Sequence, residues 1–174
     1  MPTVVNVRVR RAVEDDLDAI LSVGHRTWPV TYEPIAGADY VAMGLAKWWS
    51  AESTRPAIKA GRMTVAEVDG EVVGALTARL LEPVTVGGDA TGDAEKRLRI
   101  DYLATAAASR RAGIGTRLVQ AAESWGRRVG ATIAETTAFR GSALSIPFWE
   151  DRMGYEELPT TLVKRLDVPS TSAA

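Results

Sequence analysis

The amino-acid sequence predicts a mixed α/β (α+β) domain in which a mostly antiparallel sheet is flanked by helices. Segments that alternate apolar and polar residues, typical of half-buried strands, recur along the chain. Segments with apolar residues at helical spacing lie between them. The predicted order is a strand, two helices, a three-strand meander, a helix, a strand, a helix and a strand, which gives the domain an antiparallel front half.

The first half of the domain is predicted to contain a strand, two helices and a hairpin. Residues 4–12 (VVNVRVRRA) alternate apolar and basic residues, as a strand does. An acidic segment then opens a first helix, and the two prolines of PVTYEPIAGA (29–38) are expected to break it. A second helix is expected over 39–53. Residues 62–81 form the clearest hairpin, because two β-branched runs flank the turn dipeptide Asp69-Gly70.

The second half returns to strand and helix patterns after a glycine-rich segment at 82–96, which we expect to be a mobile loop. Alternation in RLRIDYLAT (97–105) predicts a strand with Ile100 and Tyr102 on one face and Asp101 on the other. An amphipathic helix follows and ends at Gly130. The remaining predicted elements are a strand at 131–138, a short helix at 141–153 and a strand at 160–166. Residues 1–166 are expected to form one domain and 167–174 a flexible C-terminal tail.

The composition excludes several classes of protein. The formal net charge is -1, so nucleic acid is not the expected partner, and no apolar run approaches a membrane span. Without a signal peptide pattern, the expected location is cytoplasmic. The absence of cysteine excludes thiolate metal sites and a cysteine acyl-enzyme. The single histidine, His25, excludes multi-histidine zinc sites and is expected at the surface or the core edge; no metal is expected.

The segment SRRAGIGTRL (109–118) breaks a rule of helix chemistry. A helix N-terminus already carries partial positive charge, yet two arginines precede this one and no acidic residue lies between Asp101 and Glu123. Gly113 and Gly115 leave the backbone open to a ligand. These features suit a phosphate or pyrophosphate group. The ATP/GTP loop pattern and the three-glycine dinucleotide pattern are both absent, and a solvated helix start is an equal alternative from these residues alone.

Resemblance to a known family favours the ligand-binding alternative. Arg110, Gly113 and Gly115 match R/Q-x-x-G-x-G/A, which resembles the acetyl-CoA signature of the GNAT superfamily of acetyltransferases. The segment GSALSIPFWEDRMGY resembles the later family block N-x-x-A-x-x-F-Y-E-x-x-G-F, and MTVAEVDGEVVGAL resembles the central hairpin. RRAVEDDLDAI and TWPVTY resemble the N-terminal opening, so the resemblance spans about residues 4 to 166.

The resemblance implies a GNAT-like sheet with a splayed central strand pair and acetyl-CoA as the co-substrate. The exposed strand backbone would pair with the pantetheine arm, and the amides from Arg111 to Thr116 would hold the pyrophosphate, with Arg110 beside it. The later helix would flank the thiol end. The residues carried over in this way are Leu103, Ala104, Thr105, Arg110, Arg111, Ala112, Gly113, Ile114, Gly115, Thr116, Ser142, Ser145, Phe148 and Trp149.

Two departures from the family pattern bear on catalysis. Trp149 stands where the family often has a tyrosine acid, and one residue is inserted between Trp149 and Gly154. Indole does not ionise at useful pH, so Trp149 cannot protonate the leaving thiolate. Tyr155 or a water would do so instead, or the thiolate would leave without an acid. The acceptor amine, with a pKa of about 10.4, must also lose a proton. Asp101 is the first candidate base and Glu135 the second; an ion pair with an arginine such as Arg99 is the alternative for each.

The resemblance also implies that an amine acceptor enters opposite the cofactor, against the first two helices. Trp28, Tyr32, Glu33, Trp48 and Trp49 lie there, either as an aromatic and acidic pocket or as core residues. We expect direct acetyl transfer to a small-molecule or peptide amine in a ternary complex, and the resemblance is compatible with a homodimer. The alternatives are a CoA-binding sensor with little catalysis, and a domain that binds another phosphorylated ligand or a protein partner.

Overall fold

A five-stranded sheet organises the structure, a computed structural model that describes residues 6–81, 96–109 and 112–157. The strands lie in chain order as β1-β2-β3-β4-β5, and only the β4–β5 pair is parallel. The strands are β1 (Val7–Arg11), β2 (Met63–Val68), β3 (Glu71–Leu81), β4 (Arg97–Thr105) and β5 (Ile133–Thr136). This confirms the mixed, mostly antiparallel sheet.

The helices pack on both faces of the sheet. They are α1 (Leu17–Trp48), α2 (Ala51–Lys59), α3 (Ile114–Arg128) and the short α4 (Ser145–Pro147), which continues into a π-helical turn (Phe148–Arg152). Single 3-10 turns lie at Glu14–Asp16 and Ala107–Ser109. Within the described ranges, no helix combines the length and the apolarity that crossing a membrane requires. The predicted loop at 82–95, the strand at 160–166 and the C-terminal tail lie outside the described residues.

The predicted interruption of the first helix within residues 29–38 is confirmed, but it lies at Gly37 and not at a proline. Helix α1 continues through Pro29 and Pro34 and kinks at Gly37, where φ is 82° and ψ is 169°. Each proline lacks the amide that would bond four residues back, so the carbonyls of His25 and Val30 lose a helical partner. Both residues are exposed, so water can hydrate those carbonyls without an energetic penalty.

The second predicted helix also ends earlier than its sequence pattern indicates. The helical segment stops at Trp48, and a new helix, α2, begins at Ala51. The Ser50 hydroxyl caps α2 by accepting a hydrogen bond from the Ser53 amide. A serine at this position satisfies an amide that a helix N-terminus otherwise leaves unpaired, so Ser50 starts a helix rather than continuing one.

A β-bulge in β4 overturns the predicted facing of that strand. Thr77 pairs with Tyr102 and Ala78 with Ile100, so Asp101 is the extra residue on β4. The bulge puts Ile100 in the core beneath α3 and Tyr102 on the opposite face, against the core of α1 and α2. Strict alternation cannot reveal an inserted residue, and a bulge re-aims every side chain that follows it.

The core beneath α1 and α2 depends on close packing at two glycines of α1. A Cβ on Gly24 would lie 2.0 Å from the ring of Trp49, which is fully buried, and one on Gly44 would lie 2.4 Å from the Trp28 indole nitrogen. Trp49 is therefore a core residue.

The tight turn between β2 and β3 is also as predicted, because Asp69 and Gly70 both have positive φ.

Candidate active site

One cavity of about 880 Å³ extends from helices α1 and α2, past β4, to the beginning of α3 and to α4. Its size is in the range that suits a small molecule or cofactor. Its two ends have different chemistry. One end consists of strand backbone and the beginning of α3, and the other of aromatic side chains from α1. We call them the backbone end and the aromatic end.

The backbone end arises because β4 and β5 separate. Strand β5 pairs with β4 only from Arg97 to Ile100, although β4 continues to Thr105. The Thr136 hydroxyl donates a hydrogen bond of 3.1 Å to the Ile100 carbonyl at the point of separation. Beyond it, Leu103, Ala104 and Thr105 line the cavity. The unpaired backbone groups of such a strand can form hydrogen bonds with a ligand that carries amide groups, as a neighbouring strand would.

Helix α3 begins at this end of the cavity. Gly113 precedes it with a left-handed φ of 73°, and a Cβ there would have no neighbour within 4 Å. The Arg117 amide bonds the Gly113 carbonyl at 3.0 Å, so the amides of residues 114–116 precede the first hydrogen bond of the helix. A Cβ on Gly115 would lie 3.3 Å from the Phe148 ring, so close packing against Phe148 favours glycine at position 115. The first turn contains no acidic residue.

Most of the predicted cofactor residues line this cavity together. They are Leu103, Ala104, Thr105, Gly113, Ile114, Gly115, Thr116, Ser145, Phe148 and Trp149. Ala112 is not among the lining residues, and its amide bonds the Ser109 carbonyl at 3.3 Å. Ser142 is buried instead, where its hydroxyl accepts from the Ser145 amide at 3.0 Å. Arg110 and Arg111 lie outside the described residues.

The extra residue near Trp149 is absorbed by a π-helical turn. The Met153 amide bonds the Phe148 carbonyl at 3.1 Å, five residues back rather than four. A π turn accommodates one added residue without disturbing the helix before it. Trp149 therefore still lines the cavity, with its ring 5.0 Å from those of Phe148 and Tyr155.

Of the three predicted catalytic residues, only Asp101 lines the cavity. Its Oδ2 accepts a hydrogen bond of 3.0 Å from Arg79 Nε, and its Oδ1 lies 3.8 Å from Arg99 Nε. The carboxylate is thus held by two arginines, as the alternative interpretation expected, but it also faces the cavity. Oδ1 is the oxygen that retains capacity for a further hydrogen bond.

Glu135 and Tyr155 are not brought to the cavity. Glu135 is paired with Arg97 at 3.2 Å and Arg99 at 3.0 Å. Burial raises the pKa of Glu135, but the hydrogen bonds from both arginines outweigh it and leave this pKa lowered. The Tyr155 hydroxyl donates to Glu123 at 3.1 Å, and its pKa is strongly raised by burial and by that carboxylate. Both residues are occupied in structural contacts.

The aromatic end includes three of the five residues predicted for the acceptor. Trp28, Tyr32 and Trp48 line the cavity, whereas Trp49 is buried in the core and Glu33 is exposed outside the lining. Sequence reasoning missed further lining residues, namely Tyr40, Arg62, Thr77, Tyr102 and Phe139. The bulge at Asp101 turns Tyr102 toward α1. For Phe139, which lies beyond β5, the sequence carries no signal.

Comparisons with known proteins agree with this geometry. The model of the acetyltransferase (GNAT) family matches residues 24–155. A PaiA N-acetyltransferase from Thermoplasma acidophilum, solved with coenzyme A, superposes with a TM-score of 0.72 at 16% identity, covering 84% of this chain and 87% of that one. The aminoglycoside N-acetyltransferase AAC(6′)-Iy, also with CoA, gives a TM-score of 0.65 at 16% identity over 97% and 99%.

An aminoglycoside acetyltransferase from an uncultured soil metagenomic sample, HMB0005, gives a TM-score of 0.66 at 17% identity over 93% of this chain and 99% of that one. At these identities the structural matches establish the fold. No curated protein sequence matches the chain significantly. The family model spans most of the strands and helices that build the cavity, and the chain belongs to the GNAT acetyltransferase family.

Proposed function

We propose that the protein is an acetyl-CoA-dependent N-acetyltransferase that moves the acetyl group directly to a primary amine in a ternary complex. The observation that supports this most is the continuity of the cavity. Its backbone end has the features that a pantetheine arm and a pyrophosphate need, and its aromatic end has room for an acceptor. A single cavity with both ends allows the amine to meet the thioester without a covalent enzyme intermediate.

In this proposal the cofactor is held mainly by backbone groups. The amides at the start of α3, from Gly113 to Thr116, bind the pyrophosphate, assisted by Arg110 and Arg111. The β4 backbone at Leu103, Ala104 and Thr105 pairs with the pantetheine arm. Phe148 and Trp149 flank the thiol end from the side of α4. Acetyl-CoA supplies an acetyl group on a thiol with a pKa of about 8.5, which is a moderately good leaving group.

The chain itself must then remove one proton from the amine. The ammonium form of the acceptor gives its proton to Asp101, directly or through a water, and the free amine attacks the thioester carbonyl carbon. A C–N bond forms and the C–S bond breaks, and the second proton that the nitrogen loses goes to the departing CoA sulfur, directly or through a water. No protein acid is required, which is consistent with tryptophan at position 149 and with the engagement of Tyr155 by Glu123.

Two measurements test the proposal in sequence. Calorimetric titration with acetyl-CoA, ATP and NAD should show selective binding of acetyl-CoA, and thiol release in the presence of amines should then show turnover. Absence of acetyl-CoA binding by the folded protein would overturn the proposal. Binding without turnover over a broad amine panel would favour the second candidate, a CoA-binding sensor, which the tryptophan in place of the family's tyrosine supports.

A further inference from the structure

The aromatic end of the cavity is a continuous wall of five rings. The aromatic wall consists of Trp28, Tyr32, Tyr40, Trp48 and Phe139. Ring centroids are 4.2 Å apart for Trp28 and Tyr32, 5.3 Å for Trp28 and Trp48, and 5.1 Å for Tyr40 and Phe139. Trp28 is buried, and the other four are half-buried, so their remaining surface is available at the cavity.

The aromatic wall carries no formal charge at neutral pH. Burial raises the pKa of Tyr32 and of Tyr40, so both phenols stay protonated. Glu33, the acidic residue that the sequence placed in this region, is exposed and does not line the cavity. The wall therefore offers apolar area and ring faces, which favour a flat hydrophobic body and a single ammonium group near it.

The charged residues of the cavity are mostly positive. Of the described lining residues, Arg62, Arg99 and Arg152 are cationic and Asp101 alone is anionic. Asp101 already contacts two arginines, Arg79 and Arg99. A polyamine or an aminoglycoside carries several ammonium groups, and all but the one near Asp101 would have to leave water without a described carboxylate to receive them. Such acceptors are therefore opposed by the electrostatics of this cavity.

Arg62 is fixed where it adds to this positive potential. Its amide donates to the Ala57 carbonyl and its own carbonyl accepts from the Ala78 amide, both at 2.9 Å. Its Nε is buried without a hydrogen-bond partner, and it forms no ion pair within the described ranges. Burial raises the pKa of Tyr102, another lining residue, and the positive charge of Arg62 partly opposes that rise.

We infer that the acceptor of this enzyme is an aromatic monoamine and not a polycationic amine. The inference rests on the proposed function and specifies its second substrate. The aromatic wall binds the ring system, and the one amine lies near Asp101, the one described carboxylate in the lining. The structural relatives named as aminoglycoside acetyltransferases share the fold, but the described lining of this cavity contains one carboxylate, Asp101.

The test compares tryptamine with spermidine and kanamycin as acceptors of the full-length protein. We expect kcat/KM for tryptamine to exceed that for either polycation at least tenfold. The same three amines are titrated calorimetrically into the protein saturated with CoA, because that measurement needs no turnover. Tighter binding of tryptamine supports the inference even if catalysis fails. Tighter binding of either polycation, or no binding of tryptamine, overturns it.

Two variants test whether the aromatic wall binds the acceptor. Trp48→Leu keeps an apolar side chain but removes a ring from the wall, and it should weaken tryptamine binding about tenfold while leaving the acetyl-CoA Kd unchanged. Trp125→Leu is the matched control, because Trp125 packs against the opposite core and does not line this cavity. Equal loss of tryptamine binding in both variants, with both folded, would contradict the assignment of the wall.

Discussion

Replacement of Gly113 by aspartate should weaken acetyl-CoA binding at least a hundredfold without unfolding the protein. Gly113 precedes α3 with a φ of 73°, and a Cβ there would have no neighbour within 4 Å. Aspartate is among the residues that tolerate a left-handed backbone, and it is a favoured helix N-cap. We therefore expect the unfolding free energy to change by about 1 kcal/mol or less.

The loss of binding can be estimated from electrostatics. A carboxylate about 4 Å from a phosphate charge is repelled by about 4 kcal/mol at the effective dielectric constant of a protein surface, and that energy corresponds to about a thousandfold weaker binding. Salt screens part of this repulsion. A Kd at least a hundredfold higher, measured by calorimetric titration, is therefore the expected result.

The control is Gly113→Asn, which has the same backbone requirement and nearly the same shape but no charge. We expect its Kd to stay within about tenfold of the wild-type value. If aspartate and asparagine weaken binding equally, repulsion of an anion is not the cause, and the phosphate assignment at the start of α3 is wrong. Higher ionic strength should also reduce the difference between the two variants.

Three further predictions concern the core, the pH dependence of stability and catalysis. Gly24→Ala should lower the unfolding free energy by about 2 kcal/mol in chemical denaturation, because its Cβ would lie 2.0 Å from the Trp49 ring. Hydrogen bonds from Arg10 lower the pKa of Asp16, so Asp16→Asn should cost about 3 kcal/mol at pH 7. That cost should shrink as the pH falls through the folded-state pKa, below about pH 4. Asp101→Asn should lower kcat about a hundredfold with an unchanged acetyl-CoA Kd.

Each of these predictions has a neighbouring control. Gly141→Ala adds a methyl group into open space and should not destabilise the protein. Asp15→Asn changes an exposed carboxylate next to Asp16 and should leave the pH dependence unaltered. Glu135→Gln should change kcat less than threefold, because Glu135 does not line the cavity. If Glu135→Gln lowers kcat more than Asp101→Asn does, Glu135 and not Asp101 is the general base.

The parts of the fold that depend on local chemistry were predictable from the sequence. The Asp69-Gly70 turn and the stop at Gly130 follow from residues that prefer positive φ, and the structure has both features. The separation of β4 from β5 came from family resemblance, and the pairing that ends at Ile100 agrees with it. No local sequence pattern predicts this separation, because it depends on where the partner strand ends.

The errors have a common physical origin in tertiary context. Proline propensity placed the helix break at Pro29 and Pro34, whereas the backbone leaves helical geometry at Gly37, three residues after the second proline. Alternation misplaced Tyr102 because the bulge at Asp101 shifts the pattern by one residue. Family resemblance placed Glu33 near the acceptor, yet only the three-dimensional arrangement shows that it is exposed outside the cavity lining. These differences are why the acceptor, predicted from the sequence only as a small-molecule or peptide amine, is proposed above to be an aromatic monoamine.

The separation of β4 from β5 also creates a risk of misassociation for the empty protein. An unpaired strand edge is a template for pairing with another chain, and proteins usually cover such edges or blunt them with charge. Here the edge beyond Ile100 belongs to a central strand and borders the cavity, so a ligand can reach it. A ligand bound along that edge would cover its unpaired backbone groups. The acetyl-CoA complex should therefore aggregate less during heating and storage than the protein without ligand.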